Sequence, residues 1–355
     1  MRLGFGLYRH MLDEPHCRFA RQVGARPIVV HMCDYFNQGD NGYSQSDQPI
    51  GDFDGWGYAT REDAVWGKEE LLRVKGLLED NDLEFFAIEN LDPAFWRDVL
   101  FDGPRKEVQI ENIKMLIRTM GEIGIPVLGY NFSLAGVTGR IVRHDARGGA
   151  QTVGMNGTNP LVEKPLPRRM AWNMVVEPDV EGIHPTIDSE TLWQRLEDFL
   201  RAVIPVAEEA GVCLAAHPDD PPLDFVRGQP RLVNQPHLYR RLLDCVPSPA
   251  NRLEFCLGTI AEMSTGDVYQ AVEEYASRSA YIHFRNVRGR VPQYCETFID
   301  EGDIDMPRVI DILQECNYSG VLIPDHSPQV SCPAPWHAGM AFAMGYMNAL
   351  MQTRK

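Results

Sequence analysis

A chain of 355 residues, 44% hydrophobic and 24% charged, can bury a large core as two average domains or as one large α/β barrel. Its net charge of −16 leaves no basic surplus to neutralise phosphates, which argues against a nucleic-acid partner. The eight cysteines form no CxxC pair, the N-terminus lacks the apolar centre of a signal peptide, and no run of about 18 apolar residues occurs; the expectation is a cytoplasmic protein with reduced thiols and no membrane span.

Short apolar runs recur along the chain, each followed by a longer stretch of helical period. LGFGL (3–7) and PIVVHM (27–32) come first, followed by a segment at about 36–67 rich in Gly, Asp, Gln and aromatics. KEELLRVKGLLEDND (68–82) reads as a helix, LEFFAIE (83–89) as a strand, and VQIENIKMLIRTMGEIG (108–124) as a helix stopped by glycine. IPVLGYNF (125–132) precedes a second long insertion at about 133–188, and SETLWQRLEDFLRAVIPVAEEAG (189–211) reads as a helix capped by Ser189. VCLAA (212–216), RLEFCL (252–257), AYIHFR (280–285) and GVLIPD (320–325) complete eight strands, with a helix over 306–320 before the last. Several runs are apolar on both faces, as parallel strands covered on both sides must be. The pattern predicts one (β/α)8 TIM barrel over residues 1–355, with both insertions as long βα loops covering its C-terminal face. A doubly wound open sheet is the competitor, but no GxGxxG follows the first strand.

In a barrel, functional side chains emerge at the C-terminal ends of the strands. Reading those ends gives His217, Cys256, His283 and Asp325 from four successive strands. Each has a bland reading: a core thiol, a satisfied interior histidine, an aspartate capping a turn. Four ligand types at four neighbouring strand ends instead predict a metal centre. A sulfur, two imidazoles and a carboxylate suit a borderline divalent ion, Mn²⁺, Fe²⁺ or Zn²⁺. Asp219 and Asp220, in HPDDPP (217–222), can hydrogen-bond a substrate or orient a ligand histidine; the bland alternative is a proline-flanked surface turn.

The motifs HPDDPP, GQPRLV (228–233), FCLG (255–258), HFRN (283–286), FIDEGDIDM (298–306), PDH (324–326), GYNFSL (129–134) and IPVAEEAGV (204–212) together resemble the mannonate dehydratase family. The resemblance implies a xylose isomerase-like TIM barrel that dehydrates D-mannonate to 2-keto-3-deoxy-D-gluconate with Mn²⁺, a hydro-lyase of hexuronate catabolism. It implies metal ligation by His217, Cys256, His283 and Asp325, an acid/base role for His326, site-lining roles for Arg285 and Asn286, and Arg140 near a substrate carboxylate. It also implies a small sugar-acid substrate and a homo-oligomer. Three departures accompany it. The family's C-terminal tyrosine, an acid/base group, has no counterpart in SCPAPWHAGMAFAMGYMN (331–348), where Trp336 or His337 occupies its place. His337 is the titratable substitute and Tyr8 the other candidate. The region 141–188 is rewritten, and a histidine of an F-x-E-x-x-H segment is expected as Asp303 or its neighbour. A sugar or keto-sugar-acid isomerase or epimerase is the alternative activity, since both chemistries remove a proton beside a metal-bound group; a binding barrel without catalysis is the third reading.

Overall fold

The computed structural model describes residues 1–39, 56–59 and 66–353. The eight expected strands form: β1 (Phe5–Tyr8, continuing a short Arg2–Leu3 segment), β2 (Pro27–His31), β3 (Glu84–Glu89), β4 (Val127–Tyr130), β5 (Cys213–Ala216), β6 (Asn251–Cys256), β7 (Ser279–His283) and β8 (Val321–Ile323). Neighbours pair in parallel in chain order, for example Ala216 with Leu253 and Cys256 with His283. The barrel closes through the first segment, which pairs with β8 at Arg2↔Val321 and with β2 at Phe5↔Ile28.

Helices cover the outer face because their apolar residues recur at helical spacing. Helix Ser189–Ala210 buries Leu192, Leu196, Phe199, Leu200 and Val203 along one side and packs on helix Lys106–Ile123. Its cap is Asp188 rather than Ser189, the Asp188 carboxylate accepting from Thr191 N at 2.7 Å. Both helices stop at glycines with left-handed φ, Gly124 and Gly211. Inside the barrel, Val29, Ala87, Val127, Ala215, Tyr281, Val321 and Ile323 belong to a separate apolar cluster. Further along the same strands, toward their C-terminal ends, the buried residues turn polar: His31, Glu89, Glu254 and His283.

The insertion at 133–188 is more than a covering loop. Strands Ile141–Ala146 and Ala150–Asn156 form an antiparallel hairpin that joins a second hairpin, Val287–Arg290 and Gln293–Glu296, which follows β7. Loops after two distant barrel strands therefore build one four-stranded lobe. Most of the 36–67 segment lies outside the described residues. Its described part, around Trp56, is held by Trp56 N donating to Asn173 O at 2.9 Å and by pairing of Tyr58 with Val175. No described helix is long and apolar enough to cross a membrane.

Candidate active site and metal centre

His217 is the first residue beyond β5, and its backbone N–H donates to Tyr130 O at 2.9 Å. Its Nδ1 lies 2.6 Å from Pro218 O. A carbonyl only accepts, so Nδ1 carries a proton and Nε2 is the ring nitrogen left for the Cys256 and His283 side. Cys256 ends β6, and its Sγ accepts from Thr259 Oγ1 at 3.2 Å and from Arg285 Nη2 at 3.4 Å. Burial would raise this thiol, but Arg285, His217 and His283 hold it well below its ordinary value, as a thiolate. His283 ends β7 with Nε2 at 3.2 Å from Glu89 Oε2 and at 3.2 Å from Glu254 Oε1. Its Nδ1 is buried, has no hydrogen-bond partner, and lies 3.4 Å from Asp325 Oδ2. The donor atoms of His217, Cys256 and His283 all lie within 4.8 Å of one another.

Asp325 follows β8 in the left-handed backbone region, at φ +61°, a conformation that aspartate adopts only at a cost. Besides His283, its carboxylate meets Arg285 Nε at 3.1 Å and His326 Nε2 at 3.3 Å. A thiolate, a carboxylate and two imidazoles, each with its other nitrogen turned to an acceptor, fit a divalent metal. The orphaned Nδ1 of His283 is the observation that such an ion would satisfy.

Arg285 is a buried hub. It donates to Glu262 Oε1 at 2.8 Å, Glu296 Oε1 at 3.0 Å and Thr259 Oγ1 at 3.1 Å, and faces Asp220 Oδ2 at 3.5 Å. Arg140 Nη1 donates to the same Glu296 oxygen at 2.9 Å. Burial opposes ionisation of Glu296, yet His326, Arg285 and Arg140 hold its carboxyl down at about 2. His326 Nδ1 lies 3.2 Å from each Glu296 oxygen. Flanked by Asp325 and Glu296, the His326 imidazole is raised above its ordinary value despite burial.

The expected residues His217, His283, Asp325, His326, Arg140, Arg285 and Asp220 all line one cleft, with Cys256 against it. Tyr8, Tyr35, Trp56, Val137 and Trp172 form its apolar wall. Trp172 is itself in the left-handed region at φ +49°, and its indole N–H donates to Asn131 at 3.0 Å. A larger cavity of about 750 Å³ opens at the opposite end of the strands, around Arg2, Val127, Cys213 and Val321. No group of metal-ligating side chains is found there among the described residues.

Four expectations are corrected. Asp219 does not face the cleft: Oδ2 accepts from Leu232 N at 2.8 Å and Val233 N at 2.9 Å, and Oδ1 meets Arg231 at 3.2 Å, so it fastens the 228–233 loop. Asn286 is equally structural, donating to Ile299 O at 3.0 Å and Ile304 O at 2.9 Å. His337 lies on the exposed side of the C-terminal helix Pro335–Thr353, stacked on His16 at 5.8 Å and edge-on to Phe19 at 4.7 Å. It cannot stand in for the absent tyrosine. Asp303 accepts from Gly289 N at 2.8 Å and is not among the residues lining the cleft.

Sequence reasoning missed His31, Glu89, Glu254, Glu262 and Glu296. The strand-end rule, applied to β2 and β3 as well, points to His31 and Glu89; Glu296, on a hairpin after β7, carries no such signal. Glu254 and Glu262 sit inside apolar runs and carry no such signal.

The chain is similar over most of its length to known proteins. The family model described as D-mannonate dehydratase (UxuA) matches residues 54–154 and 170–352. A mannonate dehydratase of Streptococcus suis is 32% identical over 283 residues, 75% of each chain, and one of Oceanobacillus iheyensis is 27% identical over 298 residues, 80% of each. The crystal structure of mannonate dehydratase from Streptococcus suis serotype 2 superposes with a TM-score of 0.75 at 27% identity, covering 100% of this chain and 93% of that one. D-psicose 3-epimerase from Clostridium cellulolyticum H10 superposes with a TM-score of 0.58 at 11% identity over 99% of both chains, which shows the shared barrel fold alone. A xylose isomerase-like barrel whose strand ends gather a thiolate, two imidazoles and a carboxylate, with this extent of similarity, belongs to the D-mannonate dehydratase family of hydro-lyases.

Proposed function

We propose that the chain dehydrates D-mannonate to 2-keto-3-deoxy-D-gluconate, with Mn²⁺ held by His217, Cys256, His283 and Asp325. The observation that carries this reading is the pair of committed imidazoles: His217 gives Nδ1–H to Pro218 O and His283 faces Glu89 through Nε2, so each aims its other nitrogen at the Cys256–Asp325 cluster. When bound, the metal supplies positive charge where negative charge develops beside the substrate carboxylate. Arg140 lines the cleft with one nitrogen bonded to Glu296 and gives the substrate carboxylate a cationic partner. Asp220 takes a sugar hydroxyl, and the wall of Tyr35, Trp56 and Trp172 covers the carbon chain and excludes water.

Dehydration needs an acid for the departing C3 hydroxyl and a base for the C2 proton. His326, kept protonated between Glu296 and Asp325, is the acid. Incubation of the purified protein with Mn²⁺ and D-mannonate should yield a 2-keto acid, identified by NMR. An epimeric aldonate without keto acid, or bound metal without turnover, would overturn the assignment.

A further inference from the structure

The proposed reaction leaves the C2 base unassigned, since the family's C-terminal tyrosine is absent and His337 lies outside the cleft. The cleft-lining groups narrow the choice. His326 sits between two carboxylates and is already assigned as the acid of the proposed reaction. Tyr35 is bonded to Asn90 Nδ2 at 3.0 Å, and burial pushes the Tyr8 phenol up, so it too keeps its proton at neutral pH. Glu89 is occupied by His283.

His31 remains. It ends β2, is 8% exposed, and borders the cleft. Its Nδ1 is buried without a hydrogen-bond partner, 3.6 Å from Glu89 Oε1. Nε2 is the other ring nitrogen; a Cβ added at Gly6 would lie 3.6 Å from it and 3.9 Å from Ile323 Cδ1, so the missing side chain at Gly6 leaves room beside it. Tyr8 holds the ring in place, its centroid 4.6 Å away. Burial keeps this imidazole below its ordinary value even against the pull of Glu89, so it offers a lone pair. The other Glu89 oxygen lies 3.2 Å from His283 Nε2, so one buried carboxylate faces two imidazoles.

We propose that His31 is the base that takes the C2 proton through Nε2, with Glu89 as the positioning residue that turns Nδ1–H away from the cleft. The inference rests on the dehydratase reading. The C2–H bond breaks and its proton goes to His31; the electron pair forms the C2=C3 bond as C3–O breaks, and the hydroxyl leaves as water with the proton of His326. The enol then takes a proton at C3 from His31 and returns its hydroxyl proton to His326, so both groups are restored and the products are the 2-keto acid and water.

The test compares wild type, H31N, H31Q and H31A, all loaded with Mn²⁺ and assayed on D-mannonate. H31N and H31Q should lose kcat by about 100-fold or more while metal content and KM stay within about threefold, and imidazole should restore part of the H31A rate. E89Q should lower kcat by about tenfold or more at unchanged KM. If H31N unfolds, H31Q with imidazole rescue of H31A decides the matter. An active wild type whose folded His31 variants turn over equally well, or lose metal together with activity, would overturn the role of His31 alone. A wild type inactive on every aldonate would overturn the dehydratase reading and this one with it.

Discussion

Among the four proposed metal donors, Cys256 is the one held ready as a thiolate. Its sulfur is polarised by Arg285 and fixed by two Thr259 donors, so it meets the ion already deprotonated. C256S should cut metal content by about tenfold or more, read by elemental analysis, because serine stays protonated and is a poor soft donor. H326N should leave metal content unchanged and lower kcat by about 100-fold, the range of a lost general acid. Glu296 gives a pH signature. Its carboxyl is ordinary near 4.5 when unfolded and about 2 when folded, because His326, Arg285 and Arg140 outweigh burial. The folded value is depressed, so the stabilisation is complete above the unfolded value and is lost as pH falls toward 2. It amounts to about 3 kcal/mol at most. Urea unfolding of wild type should weaken progressively between about pH 5 and pH 2, and E296Q should flatten that slope.

At the scale of elements, the lobe delivers Glu296 to the cleft, and its two hairpins must pack backbone against backbone to do so. Gly154 stands at that contact: a Cβ there would lie 2.2 Å from Tyr294 O and 2.7 Å from Cys295 Cα. Neither is a flexible side-chain end that can yield. G154A should therefore destabilise the fold by about 2 kcal/mol or more. It should also lower kcat, because Tyr294 and Glu296 lie on the displaced strand. Thermal unfolding and steady-state kinetics measure both, and a variant with wild-type melting and rate would mean that the lobe tolerates the strain. The lobe was not legible as an element. Its hairpins lie more than a hundred residues apart, and their pairing follows from no local period.

For the whole molecule, a divalent metal held as proposed would tie together the ends of β5, β6, β7 and β8. A ligand that binds the folded chain alone stabilises it by mass action, about 2.7 kcal/mol at a hundredfold excess over Kd. Mn²⁺ should thus raise Tm by several degrees, EDTA should reverse the shift, and C256S should show neither effect by scanning calorimetry. A Tm indifferent to metal would mean that the four strand ends do not bind it.

Apolar runs such as PIVVHM and VCLAA by themselves determined eight strands and their order, because a strand buried on both faces needs no partner to be recognised. The C-terminal ends of those runs also determined where His217, Cys256, His283 and Asp325 emerge, since strand direction is a property of the chain. The tertiary structure alone decided which acids serve these groups. Glu89 and Glu296 are buried at 4% and 2% exposure, and a histidine or arginine from a distant strand or loop holds each carboxyl down; Glu262, fully buried, faces Arg285, yet burial still pushes its carboxyl up. It likewise decided against His337, whose helix turns that ring to the outer surface. Local pattern carries hydrophobic burial, which is additive and non-directional; the compensation of a buried charge is pairwise and depends on contacts the sequence does not order.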